Sequence, residues 1–126
     1  MNIPDNLLYS ADHEWVRVEE GRAVVGITDY AQDALGDVVF VDIPNVGGVV
    51  DSGESITEVE STKSVSDIFA PIAGILVEIN QDLAESPELL NEDPYGDGWI
   101  CIIKFSGGDA FSDLLTPQQY GELIAS

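Results

Sequence analysis

The chain has 126 residues, 44% of them apolar, with 24 acidic side chains against 4 basic ones and a formal net charge of −20. That length fits one domain, residues 1–126, with a buried core, and the apolar fraction argues against disorder. The charge makes nucleic acid and anionic membrane surfaces poor partners. It favours proteins with basic rims, whose encounter with the chain slows as salt is added.

The first residues, Met1-Asn2-Ile3-Pro4-Asp5, have neither the basic and apolar regions of a secretory signal nor the Arg-rich character of a mitochondrial presequence. The apolar runs are strand-sized, so no membrane span is expected. One cysteine, Cys101, excludes an internal disulfide and suits a reducing compartment. A cytoplasmic protein is expected, with a processed mitochondrial matrix protein as second choice.

In chain order, Glu14 to Glu19 and Arg22 to Ile27 bracket Glu20-Gly21, which reads as a hairpin. Thr28 can cap a helix through Tyr30-Ala31-Gln32-Asp33-Ala34-Leu35, closed by Gly36. Asp37 to Ile43 is a β-branched strand stopped by Pro44, and further strands are expected at 55–60, 65–70, 74–79 and 99–105. Between the last two, Asp82 to Gly98 reads as a loop with one helical turn around Glu88-Leu89-Leu90. The C-terminus is a helix: Thr116 is its N-cap, Pro117 its first residue, and Gln119 completes a capping box. Gly121 weakens this helix, which therefore depends on packing.

Pro44-Asn45-Val46-Gly47-Gly48-Val49-Val50 and Pro71-Ile72-Ala73-Gly74-Ile75-Leu76-Val77 share the pattern Pro-x-x-Gly-x-(Val/Leu)-Val. The echo suggests two similar half-sheets facing one another. Many short strands with terminal helices favour a small barrel or sandwich.

A catalytic or metal centre is hard to assemble. His13 is the sole histidine and lies far in sequence from Cys101, which sits in the apolar run Ile100-Cys101-Ile102-Ile103 as an inert buried thiol would. Zinc needs about four ligands, commonly Cys and His. No stretch fits a calcium loop. Gly47-Gly48 and Gly107-Gly108 read as turn glycines, not phosphate cradles.

Lys63 is the residue that stands out. It is one of two lysines and falls in Ser61-Thr62-Lys63-Ser64, between the β-prone runs Ile56 to Glu60 and Val65 to Phe69. A lysine at such a turn offers its amine to water on a backbone held by two strands. A Schiff-base lysine needs burial or a neighbouring cation. Lys63 instead has Glu58, Glu60 and Asp67 close in sequence, which argues against lysine chemistry by the protein alone and permits acylation by another enzyme.

Val59-Glu60-Ser61-Thr62-Lys63-Ser64-Val65-Ser66-Asp67, followed by Ala70-Pro71-Ile72-Ala73-Gly74, resembles the lipoyl attachment hairpin of glycine cleavage system H proteins. The resemblance extends to His13-Glu14-Trp15-Val16, to Val25 to Gln32, to Leu35 to Val41, and to Asn91 to Trp99. It implies a mainly β barrel-sandwich hybrid, like lipoyl and biotinyl carriers, with short flanking helices including a C-terminal one. It implies a non-catalytic carrier with lipoic acid in amide linkage on Lys63. Such a carrier moves an aminomethyl group from glycine decarboxylase, which uses pyridoxal phosphate, to aminomethyltransferase. It also passes reducing equivalents to dihydrolipoamide dehydrogenase, and it is loaded by lipoylating enzymes. Glu14 and Asp67 are implied as the carboxylates that hold the aminomethyl arm in a cleft. Some family members have a histidine where Ala34 stands here, so an imidazole contact at that place is missing. A monomer in isolation is expected from the charge. The alternative is a lipoyl or biotinyl domain of a 2-oxo-acid dehydrogenase or carboxylase. A hydrolase or binding protein with its site among the acidic loops is a third reading. Thr62 and Ser64 beside the lysine, where biotin carriers typically have methionines, disfavour biotin.

Overall fold

The computed structural model describes residues 2–43, 46–105 and 111–125. Two antiparallel sheets supply one core. The larger takes β1 (Leu8–Tyr9), β2 (Glu14–Glu19), β3 (Arg22–Ile27), β9 (Cys101–Lys104), β8 (Gly74–Ile79) and β5 (Val49–Val50), in that spatial order. The smaller has β4 (Val38–Val41), β6 (Ser55–Ser61) and β7 (Val65–Phe69). Val25, Leu76 and Ile103 from the first meet Val41, Val59 and Ile68 from the second in one buried cluster. This is a barrel-sandwich hybrid. No helix among the described residues is long and apolar enough to cross a membrane.

The β2–β3 hairpin turns at Glu20 and Gly21, both with positive φ (44° and 80°), the turn whose twist matches the strands it joins. Helix α1 (Asp29–Leu35) starts as read: Thr28 Oγ1 accepts the Ala31 N–H at 3.2 Å. It stops at Gly36, φ 81°, whose N–H returns to the Gln32 carbonyl at 3.1 Å. In the segment from Asp82 to Gly98, α3 (Leu89–Glu92) supplies the expected helical turn, and a second short helix, α2 (Asp82–Glu85), occupies part of what reads as loop. Helix α4 (Pro117–Ala125) has the expected capping box, with Gln119 N–H on Thr116 Oγ1 and Thr116 N–H on Gln119 Oε1.

Other expectations need adjustment. Among the described residues the sheets have six and three strands, so they are not similar halves, and the echoed segments are direct neighbours instead: Val49 pairs with Ile75 and Val50 with Gly74. Pro44, Asn45, Gly107 and Gly108 lie outside the described residues. The strand read at 37–43 spans only 38–41, and a bulge at Val39 shifts its register with β6. The last core strand is also shorter than read, Cys101–Lys104.

A second cluster lies under α4. Tyr9 and Tyr120 stack with centroids 4.7 Å apart, next to Trp15, Leu7 and Val24. Trp15 lies across its cross-strand partner Gly26, where any Cβ would come within 2.6 Å of the indole. Its Nε1–H reaches the Pro94 carbonyl at 2.8 Å. The C-terminal helix is thus held by aromatic packing, which offsets the low helix propensity of Gly121.

Candidate functional site

Lys63 is the middle residue of the three-residue connection Thr62-Lys63-Ser64 between β6 and β7, and it is exposed. The turn is closed by Ser61 N–H to the Ser64 carbonyl at 2.8 Å. Ser61 Oγ accepts the N–H groups of Lys63 and Ser64 at 3.2 and 3.1 Å. Thr62 N–H donates to the Asp37 carbonyl at 3.0 Å, tying the turn to the segment after α1. That segment is fixed in turn by Asn91, whose Oδ1 accepts Val38 N–H and whose Nδ2 donates to the Gly36 carbonyl, both at 2.8 Å. The backbone under Lys63 is therefore rigid while its amine stays in water. The side-chain stem passes over Gly36, where a Cβ would meet the lysine Cε at 2.8 Å.

One cleft runs from this turn, and a second adjoins it at Asp12. The first, about 230 Å³, begins at Ser64 and is walled by Ile27, Ala31, Leu35 and Ile68, with His13 and Asp67 at its edge. Ala34 also lines it and contributes only a methyl group. The second, about 150 Å³, contains Ser10, Glu14 and Asp113. Asp12 borders both. The two carboxylates implied by the resemblance are thus placed apart: Asp67 is exposed on the edge strand β7 in the first cleft, and Glu14 is 1% exposed in the second.

Glu14 is a buried carboxyl with few compensations. Ser10 Oγ–H donates to its Oε1 at 2.5 Å, and the Phe69 N–H also reaches it. Desolvation outweighs these bonds and pushes its pKa up to about 7. The Ser10 hydroxyl can donate only one proton; it accepts the Asp12 and Glu14 N–H groups at 3.2 and 3.1 Å, which orients it toward the carboxyl.

His13 and Asp12 are the residues that sequence reasoning missed. His13 has φ 72° and lies tilted on Tyr30 with centroids 4.6 Å apart. Its Nδ1 is 2.9 Å from the Tyr120 hydroxyl, which is 2.7 Å from Thr28 Oγ1. One phenol from α4 therefore links the β2 wall of the cleft to the cap of α1. Burial lowers the His13 pKa, so the ring is neutral at pH 7. The available signal was position, since both residues immediately precede Glu14-Trp15. Cys101 is fully buried, and desolvation pushes its thiol up to about 12. It holds its proton and is no nucleophile at neutral pH.

An exposed primary amine on a rigid turn, beside a cleft with apolar walls and acidic ends, suits a tethered acyl arm. A lipoyl chain fits these residues: its hydrocarbon can lie against Ile27, Leu35 and Ile68, and an ammonium group carried on its sulfur would meet carboxylates.

The comparisons with known proteins agree. A glycine cleavage H-protein family model matches residues 7–126. The glycine cleavage system H protein of Bacteroides thetaiotaomicron is 50% identical over 124 residues, covering 98% of each chain. That of Thermus thermophilus is 50% identical over 126 residues, covering all of this chain and 98% of that one. The crystal structure of a glycine cleavage system H protein from Mycobacterium marinum superposes with a TM-score of 0.89 at 42% identity, covering 98% of this chain and 100% of that one. With the lysine turn, the facing sheets and the acidic clefts in place, these matches make the chain a member of the glycine cleavage H-protein family, the non-catalytic lipoyl carriers of that system.

Proposed function

We propose that this chain carries lipoic acid in amide linkage on Lys63. It takes the aminomethyl unit from glycine decarboxylase to aminomethyltransferase and reducing equivalents to dihydrolipoamide dehydrogenase. It does so as a single carrier domain, monomeric in the cytoplasm. The observation that supports this best is the exposed Lys63 amine on a turn tied at several backbone points, next to a cleft leading toward Glu14.

When bound, the lipoyl group supplies a disulfide that can take up electrons and a one-carbon fragment. The protein's own residues present that group, shelter it and hold its end. Lys63 sets the anchor point. Ile27, Leu35 and Ile68 offer an apolar wall that keeps water from the arm. An extended lipoyl-lysine arm measures ~14 Å, about four residue steps of a strand. An arm laid along β7 from Lys63 therefore reaches the level of Asp67 and points toward Phe69, whose N–H meets Glu14.

Near pH 7 Glu14 is poised between acid and carboxylate. An arriving ammonium group draws it into the charged form and gains a charge-assisted hydrogen bond out of water. Asp67 and Asp12 line the route and attract the same cation.

The test is an intact-mass measurement of the protein made in lipoate-replete cells of its own source. A lipoyl adduct is expected, and it disappears in Lys63→Arg. A wild-type chain without the adduct would sink the reading. The glycine-specific part fails if lipoylated protein is not reduced by a matched glycine decarboxylase with glycine.

A further inference from the structure

Two consecutive apolar residues beside the lysine turn face water. The bulge in β4 leaves Val38 opposite Ser61 and Phe40 opposite Glu60, so Val39 is the extra residue. The bulge turns both Val39 and Phe40 outward, and they are 50% and 55% exposed. Glu60 also pairs with Val65, which is 57% exposed. Residues opposite one another on neighbouring strands project to the same face. Phe40, Glu60 and Val65 thus form one row across the outer face of the small sheet, with Glu60 three residues before Lys63 and Val65 two after it.

The next row on that face is acidic. Glu58 pairs with Asp67, and the Asp42 N–H donates to the Glu58 carbonyl at 3.0 Å. All three side chains are exposed. Exposed apolar side chains on either side of Glu60, with a row of carboxylates alongside, fit a surface that offers apolar contacts among lysines and arginines. The chain's other lysine, Lys104, also has exposed aliphatic neighbours, Val49 and Ile75, but it sits in a strand directly opposite Arg22. Such a basic surface would be repelled there.

Building on the carrier reading above, we infer that the Val39–Phe40–Val65 patch with the row of carboxylates beside it docks the enzyme that acylates Lys63. Distance selects this partner. Enzymes that work on the far end of the arm stand ~14 Å beyond the lysine Cα. The acylating enzyme must bring its acyl carbon into bonding contact with the lysine nitrogen, so its surface covers the flanks of the turn. In that step a base of the partner takes a proton from the Lys63 ammonium. The amine then attacks the carbonyl carbon of a lipoyl adenylate, the C–N bond forms, the C–O bond to phosphate breaks, AMP leaves, and the nitrogen's remaining extra proton goes to base.

The experiment compares wild type, Phe40→Ser and Val39→Ser as substrates of a lipoate–protein ligase supplied with lipoate and ATP. Circular dichroism first verifies that each variant is folded. We expect kcat/KM for acylation to fall about tenfold in Phe40→Ser and less in Val39→Ser, as for truncation of an exposed aromatic anchor. Raising salt should slow the wild-type reaction. The same variants, loaded by prolonged incubation with excess ligase, should be reduced by glycine decarboxylase with glycine at close to the wild-type rate. Acylation at the wild-type rate in both folded variants overturns the inference. So does an equal fall in both reactions, which would make the patch a common platform. A wild-type dimer dissolved by Phe40→Ser with acylation unchanged would assign the patch to a second copy of the chain. Failure of the wild type itself to accept lipoate would instead overturn the carrier reading.

Discussion

The two ends of the β7 track treat a charged group in opposite ways. At one end the Lys63 amine is left in water, and the protein invests its order in the backbone beneath it, through Ser61, the Asp37 carbonyl and Asn91. At the other end the Glu14 carboxyl is taken out of water, with the Ser10 hydroxyl and the Phe69 N–H as its compensation. On the carrier reading proposed above, the anchor is always available, while the receptor for the arm is held in a state that an incoming cation can change. Fixed backbone with a free side chain suits attachment; a fixed side chain with an adjustable proton suits reversible capture.

Removing the anchor has the largest effect. Lys63→Arg should abolish the adduct entirely, yet shift stability by less than about 0.5 kcal/mol, because the side chain is exposed and the turn's hydrogen bonds are made by backbone and Ser61. Mass spectrometry and a thermal melt read the two halves of that statement.

Changing the receptor comes next. The unfolded chain releases the Glu14 proton near pH 4.5 and the folded chain near 7, so the folded state holds an extra proton between those values. Stability should fall as pH rises through that window and level off above it. Glu14→Gln should remove this slope and be more stable than wild type by roughly 2–3 kcal/mol at pH 8, with little difference below pH 4.5. Urea unfolding at both pH values measures this. A pH-independent difference would mean that Glu14 is charged in the fold throughout.

Loosening the support under the anchor is smaller. Asn91→Ala deletes the bonds to Val38, Gly36 and the Gln32 side chain and should cost about 1–2 kcal/mol. Amide exchange at Thr62 should quicken, because its acceptor is the carbonyl of Asp37, between the two pinned residues. The smallest effect is at the exposed carboxylate of the track. Asp67→Asn should slow reduction of the loaded protein by glycine decarboxylase about two- to threefold, a difference that shrinks at high salt.

The contrast also explains what the sequence made readable. The Lys63 turn is local: two β-prone runs and a polar quartet carry it, and the structure keeps the strands within a residue of the reading. The cap of α1, its Gly36 stop and the capping box of α4 are local too, and all three are present. The environment of Glu14 depends on Phe69, at the end of a strand in the other sheet, so neither its burial nor its distance from Asp67 follows from neighbours in the chain. The link from His13 through Tyr120 to Thr28 spans 107 and 92 residues and was equally hidden. The β4 bulge escaped because Val38-Val39-Phe40-Val41 has no polar residue to mark which side chains turn outward. Strands β1 and β5, two residues each, are too short to show a period.

The burial of Cys101 has a consequence for traffic along a redox relay. A dithiolane exchanges with any thiolate that can reach its sulfur atoms, and each such encounter leaves a mixed disulfide that diverts the cargo. Placed at 0% exposure in the strand opposite Val25 and Ile79, this chain's only sulfhydryl is out of reach of the sulfur ring proposed for Lys63, its own or a neighbour's. Concentrated carriers can therefore jostle one another without cross-linking.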